Sequence, residues 1–378
     1  MVYCYSMTLA MGDRVERTDN CAAASRISRN LFASAAMPAL SVAVADRTGT
    51  IWVEALGKVD LEFDIAATPD HVFRLVSVSK AVTATTAARL VTRGLLDLDV
   101  PIAYWLPDLP ARHRATTTRQ LLTHRGGVRH YGPKDLDPKA PGGRITSRAY
   151  ANRDEILALF IEDPLVAPPG TAVSYSSFGY TLASFVMEAA GGTDFLRLVM
   201  DEIGLPFGLP SLAADEVLEV VPLRARGYFA AREFEMFAMA MGDPERPALR
   251  GGYANVTLSN PAFCWAGAGL LMTMPDLARF GAAHLDGRQT RISSAQRALL
   301  FTPMTEASER SPPLGLGWRV DRDARERLRW HHAGATPGGR ASLVVYPELD
   351  LSIALASNVM SAPGDVLGPS SELADAFA

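Results

Sequence analysis

The sequence predicts an α+β fold: one antiparallel sheet assembled from both ends of the chain and flanked by helices, plus a mostly helical lobe. Three observations predict it. Strand patterns cluster near the N-terminus, they return after residue 315, and the long middle is dominated by helical patterns broken by Pro and Gly. Residues 25–75 and 266–378 are assigned to the sheet region and 76–265 to the helical region, together forming one unit.

The elements follow in order. After a helical N-terminal stretch, 39–46 (ALSVAVAD) reads as a buried strand. Arg47-Thr48-Gly49 is a turn, and the alternating 50–56 completes a hairpin. Residues 77–93 are rich in Ala, Val, Thr and Leu and stop at Gly94, a natural helix end. Helical patterns recur at 153–160 and 178–190. Thr273 and Pro275 mark the start of a helix over 275–284, as N-cap and first-turn proline. Strands are expected at 315–321, 327–332, 340–346 and 350–357, the last two around the turn Pro347–Asp350, and a helix at 370–377 closes the chain.

Composition narrows the function. The chain has 378 residues, 48% hydrophobic and 21% charged, with a formal net charge of −4. Charges of both signs are interspersed, which excludes a basic nucleic-acid binder. No stretch approaches the roughly 20 apolar residues of a membrane span. The N-terminus has no basic region ahead of an apolar core, so no signal peptide is expected, and Met7 or Met11 are candidate starts. Cys4, Cys21 and Cys264 are an odd, sparse set; no disulfide framework is expected, which fits a reducing, cytoplasmic location. Of 37 basic residues only Lys58, Lys80, Lys134 and Lys139 are lysines, so a lysine in an apolar setting merits inspection.

Three short stretches carry chemistry. In Ser77-Val-Ser-Lys80, positions i and i+3 share a helix face, bringing a hydroxyl to an ammonium near a helix start. A serine hydroxyl needs a nearby base, and the free backbone N–H groups of a helix start favour a developing anion. The following AVTATTAARLV is nearly all apolar or small, and a lysine entering a buried helix costs several kcal/mol unless paired. Tyr175-Ser176-Ser177 lies in a turn after Pro168-Pro169-Gly170, just before a helix. Beside a lysine ammonium, a tyrosine's pKa of ~10 falls and the phenol becomes a usable base. His331-His332-Ala333-Gly334 lies on a C-terminal strand, where the small residues leave room for a substrate. Each stretch alone has a plainer reading: a lysine that snorkels to water, a packed turn tyrosine, a strand-edge histidine pair. The seven histidines show no HxxEH pattern and no adjacent carboxylate cluster, so no metal and no cofactor are expected.

Taken in order, SxxK, YxS and HxG resemble the motif series of the serine β-lactamase-related family: class C β-lactamases, D-alanyl-D-alanine carboxypeptidases and related esterases. RLVSVSKAVTA resembles the family's nucleophile segment, Leu121–Gly127 its LLTHTSG loop and Gly269–Phe280 its GGL-ST-DLARF helix start. The resemblance covers roughly residues 30–360. VRHYGP at 128–133 and YSSFGYTLAS at 175–184 resemble the β-lactamase-like serine proteases of animal mitochondria. It implies the β-lactamase/transpeptidase-like fold and an acyl-enzyme mechanism. Ser77 would be the nucleophile, and Lys80 and Tyr175 would move the proton. The N–H groups of Ser77 and of Ala335, next to Gly334, would form the oxyanion hole. His332 would orient Tyr175 or meet an acid group of the substrate.

Two departures bear on the substrate. Ser177 replaces the asparagine that helps bind β-lactam side chains, and His332 replaces the lysine that helps meet their carboxylate. Both suit an esterase or peptidase better than a β-lactamase, and a carboxylesterase on small acyl esters is the first expectation. A β-lactamase or peptidase on amide substrates is the alternative, and a non-catalytic or filament-forming protein of the same fold is the alternative of another class. The expected partner is a small acyl substrate or a peptide, with no nucleic acid and no membrane span. Loops near 129–150 and 225–262 are expected to shape the pocket. The second holds Tyr228, Phe229, Phe234, Met236, Phe237, Met239, Met241 and Tyr253, which would either line an acyl pocket or pack as ordinary helix contacts.

Overall fold

The computed structural model describes residues 2–4, 11–137, 140, 145–241, 249, 251–256, 259–287, 291–308 and 312–378. Met7, Lys139 and parts of the 129–150 and 225–262 loops lie outside the described residues, as do the side chains of Met11, Phe237, Met239 and Met241.

The elements that frame the site are β1 (Val2–Cys4), α1 (Met11–Ser34), β2 (Ala39–Asp46), β3 (Gly49–Asp60), α2 (Ser79–Thr92), α3 (Ser177–Gly191), α4 (Met274–Ala282), β4 (Arg319–Arg322), β5 (Leu328–Thr336), β6 (Gly339–Tyr346), β7 (Leu351–Ser357) and α5 (Leu367–Phe377). The antiparallel sheet runs β1-β3-β2-β7-β6-β5-β4, with Ile65–Ala66 added to β3. The two ends of the chain meet where β2 pairs with β7, for example Ala43 against Ala354.

Strand alternation sorts the two faces of this sheet. Leu40, Val42 and Val44 of β2 join Ile353 and Leu355 of β7 in a core capped by α1 and α5. Ala39, Ala43 and Ala45 join Ala354, Ala356 and Ala341 on the other face, in the larger core shared with the helical lobe. Small residues on that face let α4 approach closely. A Cβ on Gly281 would overlap Ser352 Oγ and reach Leu343 Cδ1 at 2.8 Å. Thr273 caps α4 by accepting from the Asp276 N–H, as the sequence predicts.

α2 is the central pillar, buried on all sides from Ser79 to Ala88. Its threonines are satisfied within the helix: Thr83, Thr85 and Thr86 donate to the carbonyls four residues back.

Several boundaries differ from the sequence reading. The helix expected from residue 77 begins at Ser79, because Val76–Val78 forms a 3₁₀ turn. The helix expected over 153–160 ends at Leu157. The strand expected from 315 begins at Arg319, because Gly317 adopts φ +73° with its backbone against Ala84 of α2. The strand expected to end at 332 runs on to Thr336, carried past its Ala-Gly-Ala stretch by pairing with β6. The lobe between also holds small sheets, Phe73–Arg74 with Leu270–Met272 and Ala213–Ala214, and Tyr228–Ala230 with Tyr253–Asn255.

The cysteine expectation is corrected: Cys4 and Cys21 form a disulfide. Pairing of β1 with edge strand β3 brings Cys4 to α1, a tertiary event that a count of three cysteines does not contain. Cys264 is free and buried. Among the described residues no helix is long and apolar enough to cross a membrane, and no group of His, Cys, Asp and Glu could hold a metal ion.

Candidate active site

Ser77 sits on the 3₁₀ turn ahead of α2, partly exposed between buried Val76 and Val78. Val76 takes φ +48°, a conformation uncommon for any residue but Gly and costly for a β-branched one. This sharp bend turns the chain from Phe73–Arg74 into α2 and leaves Ser77 at the junction of α2, α3 and β5.

Lys80 enters α2 with no exposed surface. Its ammonium donors point at neutral oxygens. They reach Gly267 O at 2.8 Å, Ser177 Oγ at 3.2 Å and Ser77 Oγ at 3.3 Å. No carboxylate is among these partners. A buried lysine held only by neutral oxygens is costly to the fold, and the snorkelling alternative does not apply to it.

Tyr175 precedes α3, whose N-cap Ser176 accepts from the Gly179 N–H. The Tyr175 hydroxyl lies 2.8 Å from Ser77 Oγ, and the Lys80 ammonium stands 4.7 Å from its ring centroid. Burial pushes the phenol's pKa up, but the Lys80 charge, hydrogen bonds from Lys80 and Ser77 and the charge of Arg319 outweigh it, leaving the pKa below its ordinary value.

β5 closes the site from the sheet side. Gly334 is where the strand meets the nucleophile: a Cβ there would overlap Ser77 N and come within 2.8 Å of Val76 Cβ. Ala335, one residue on, is exposed. His332 is buried, 3% exposed. Its Nδ1–H donates to Ala333 O at 3.0 Å, leaving Nε2 to face Arg319 Nη1 at 3.5 Å. Burial, then Arg319 and Lys80, hold its pKa well below the usual imidazole value. His331 points away from the site and lies 3.3 Å from the Asp321 carboxylate.

Ser77, Lys80, Tyr175 and Ser177 are thus joined by hydrogen bonds, with Gly334 against them. His332 is close by, but its hydrogen-bond partners are Ala333 and Arg319, not Tyr175. Four residues without a role in the sequence reading complete the arrangement: Gly267, His124, His130 and Arg319. His124 accepts from Ser176 N–H and His130 from Ser177 N–H. Two of the seven histidines lie in one short loop, the signal that could have drawn attention to them. Arg319 gives no such signal, since the chain is rich in arginine. Among the described residues it has no carboxylate partner.

A buried lysine, a tyrosine of lowered pKa and a partly exposed serine, on a sheet-and-helix frame of this topology, define the class of serine acyl-transfer proteins built on an SxxK motif. The chain belongs to the beta-lactamase family, whose profile matches residues 24–376. It is similar to the human mitochondrial serine beta-lactamase-like protein LACTB, with 26% identity over 396 residues, covering 82% of this chain and 69% of that one. It is 31% identical over 225 residues to esterase EstB of Burkholderia gladioli, covering 56% and 53% of the two chains. A solved structure of D-amino acid amidase from Ochrobactrum anthropi superposes with a TM-score of 0.77 at 22% identity, covering 95% of this chain and 99% of the other. That likeness shows the shared fold.

Proposed function

We propose that the protein is a serine hydrolase that works through an acyl-enzyme on Ser77, acting as a carboxylesterase on small acyl esters. The observation that carries this reading is the contact of one hydroxyl, Ser77 Oγ, with both Tyr175 Oη at 2.8 Å and Lys80 Nζ at 3.3 Å.

In the reactive state Tyr175 is the phenolate, stabilised by Lys80. Ser77 gives its proton to Tyr175 as Oγ bonds to the ester carbonyl carbon. The carbonyl oxygen takes the negative charge beside the N–H groups of Ser77 and Ala335. Collapse breaks the bond to the alkoxide, which leaves with the proton from Tyr175. Water then repeats the sequence, giving its proton to Tyr175, and the acid departs as Ser77 recovers its own. Ser177 holds Lys80 in place. Similarity to an esterase, and the absence of the asparagine and lysine that serve β-lactams, support the ester reading.

Arg319 favours a second reading. An arginine beside the site without a carboxylate partner suits a substrate bearing its own carboxylate, as a peptide or β-lactam would. A non-catalytic assembly role is a third. The joint presence of Ser77, Lys80 and Tyr175 in bonding contact weighs against it, because an ammonium buried without a carboxylate gives a merely structural protein nothing. The cytoplasmic location rests on the sequence, and disulfides are rare in the cytosol. Alkylating cells before lysis will label both Cys4 and Cys21 if that location is right.

The deciding measurement is hydrolysis of p-nitrophenyl acetate by wild type and Ser77→Ala. Turnover by wild type with a drop of at least about a thousandfold in the variant supports the proposal. Equal rates overturn the nucleophile, and an inert wild type moves the amide and assembly readings ahead.

A further inference from the structure

The position of Tyr175 depends on a loop that touches neither Ser77 nor Lys80 by any hydrogen bond. Residues 174–177 have extended or capping geometry, so their backbone N–H groups need acceptors from elsewhere. The loop 124–130 supplies three of them, for Ser174, Ser176 and Ser177. His124 O accepts from Ser174 N at 2.8 Å. His124 Nδ1 accepts from Ser176 N at 3.2 Å, and His130 Nδ1 from Ser177 N at 3.1 Å. In return, Ser176 Oγ donates to Arg129 O at 2.8 Å. The same two imidazoles enclose the Tyr175 ring, with centroids 4.4 Å away for His124 and 5.5 Å away, edge-on, for His130. His124 reaches both tasks from φ +58°, a left-handed backbone that only a specific demand sustains.

A backbone N–H can only donate, so both Nδ1 atoms must be unprotonated and both rings neutral. The surroundings enforce this. Lys80, Tyr175, Tyr180, Arg319, His130 and His332 face His124, and burial with the Lys80 and Arg319 charges keeps its pKa well below the usual value. Lys80, Arg129, Tyr131, Asp135 and Tyr175 face His130, and burial with the Lys80 charge lowers its pKa to about 4, against the opposing pull of Asp135.

We infer that His124 and His130 are positioning residues, a pair of neutral imidazoles whose Nδ1 atoms clamp the backbone on the C-terminal side of Tyr175 and fix its hydroxyl between Ser77 and Lys80. The inference rests on the proposed role of Tyr175 in hydrolysis. It goes beyond that role by assigning the tyrosine's geometry to a second loop and to one protonation state of that loop.

The test replaces each imidazole by a side chain that either keeps or moves the acceptor. Asn places its amide oxygen near the site of Nδ1; Gln places it further out. At His130, which has no positive φ, His130→Gln should lower kcat for p-nitrophenyl acetate at least tenfold with KM within about twofold, and His130→Asn should recover most of the loss. At His124, Asn also tolerates the left-handed backbone, so His124→Asn should outperform His124→Leu. A separate readout is the tyrosinate absorbance titration of each protein minus its Tyr175→Phe counterpart, which reports the Tyr175 pKa without catalysis. It should move upward in His130→Gln and return in His130→Asn.

If His130→Gln keeps wild-type kcat and the wild-type Tyr175 titration, or if His130→Asn falls as far as His130→Gln, the clamp is overturned. If His124 variants do not fold, the His130 pair decides. If wild type is inert toward the ester, the ester reading fails while the titration still decides the clamp.

Discussion

Gly334 of β5 lies directly against the backbone of Ser77, so close that a Cβ on it would overlap the Ser77 nitrogen. The sheet therefore delivers its strand to the proposed nucleophile through the one residue of β5 that has no side chain. The oxyanion role proposed for the next residue, Ala335, depends on this contact.

Gly334→Ala should consequently damage the site rather than the backbone, since Gly334 has no positive φ. Pushing β5 away from Ser77 removes one oxyanion donor, worth about a hundredfold in kcat. Overpacking should lower stability by about 1–3 kcal/mol. Ester kinetics and urea unfolding of this variant check both effects; a wild-type kcat would show that β5 takes no part in the reaction.

Lys80→Met separates catalysis from stability. Removing a buried charge that has no carboxylate partner should leave the unfolding midpoint unchanged or higher. Loss of the group that favours the phenolate should lower the rate between about a hundred- and ten-thousandfold. A variant that unfolds readily while keeping its activity would reverse both assignments.

The rate should rise with pH. In the proposed mechanism Tyr175 acts when ionised, and its pKa lies below the ordinary value of 10. The ascending limb of kcat/KM should therefore fall below pH 10 and vanish in Tyr175→Phe. A flat profile over that range would assign the base elsewhere.

Acid should destabilise the fold through its buried histidines. His284 is wholly buried beside Phe280 and Trp318, and burial lowers its pKa from 6.5 to about 4. A histidine with a depressed folded pKa binds more protons when unfolded, so stability is lost as pH falls from 6.5 towards 4. The upper limit for His284 alone is about 3 kcal/mol. The decline in melting temperature between pH 7 and pH 4.5 should be smaller in His284→Gln than in wild type.

Arg319→Gln should divide substrates. KM should rise about tenfold or more for an ester bearing a carboxylate near the scissile bond, and change little for a neutral ester. No discrimination between the two would remove the case for an anionic substrate.

The local sequence determined much of this protein. β2 is an eight-residue strand buried over its first seven residues, because Leu and Val alternate with Ala and Ser along it. Thr273 caps α4 because its hydroxyl competes for the Asp276 N–H. Ser77 and Lys80 meet because a spacing of three brings their side chains together across the turn into α2. Such features depend on neighbours within a turn or on one face of one element, so a linear reading contains them. What the tertiary structure decided depends on partners far apart in the chain. Lys80 is held by Gly267 and Ser177, Tyr175 is framed by His124 and His130, and Gly334 meets Ser77 across 257 positions of sequence. The Cys4–Cys21 bond likewise waits on β1 finding the sheet edge. Hydrogen bonds and van der Waals contacts act over a few ångströms, and only folding brings these residues within that range.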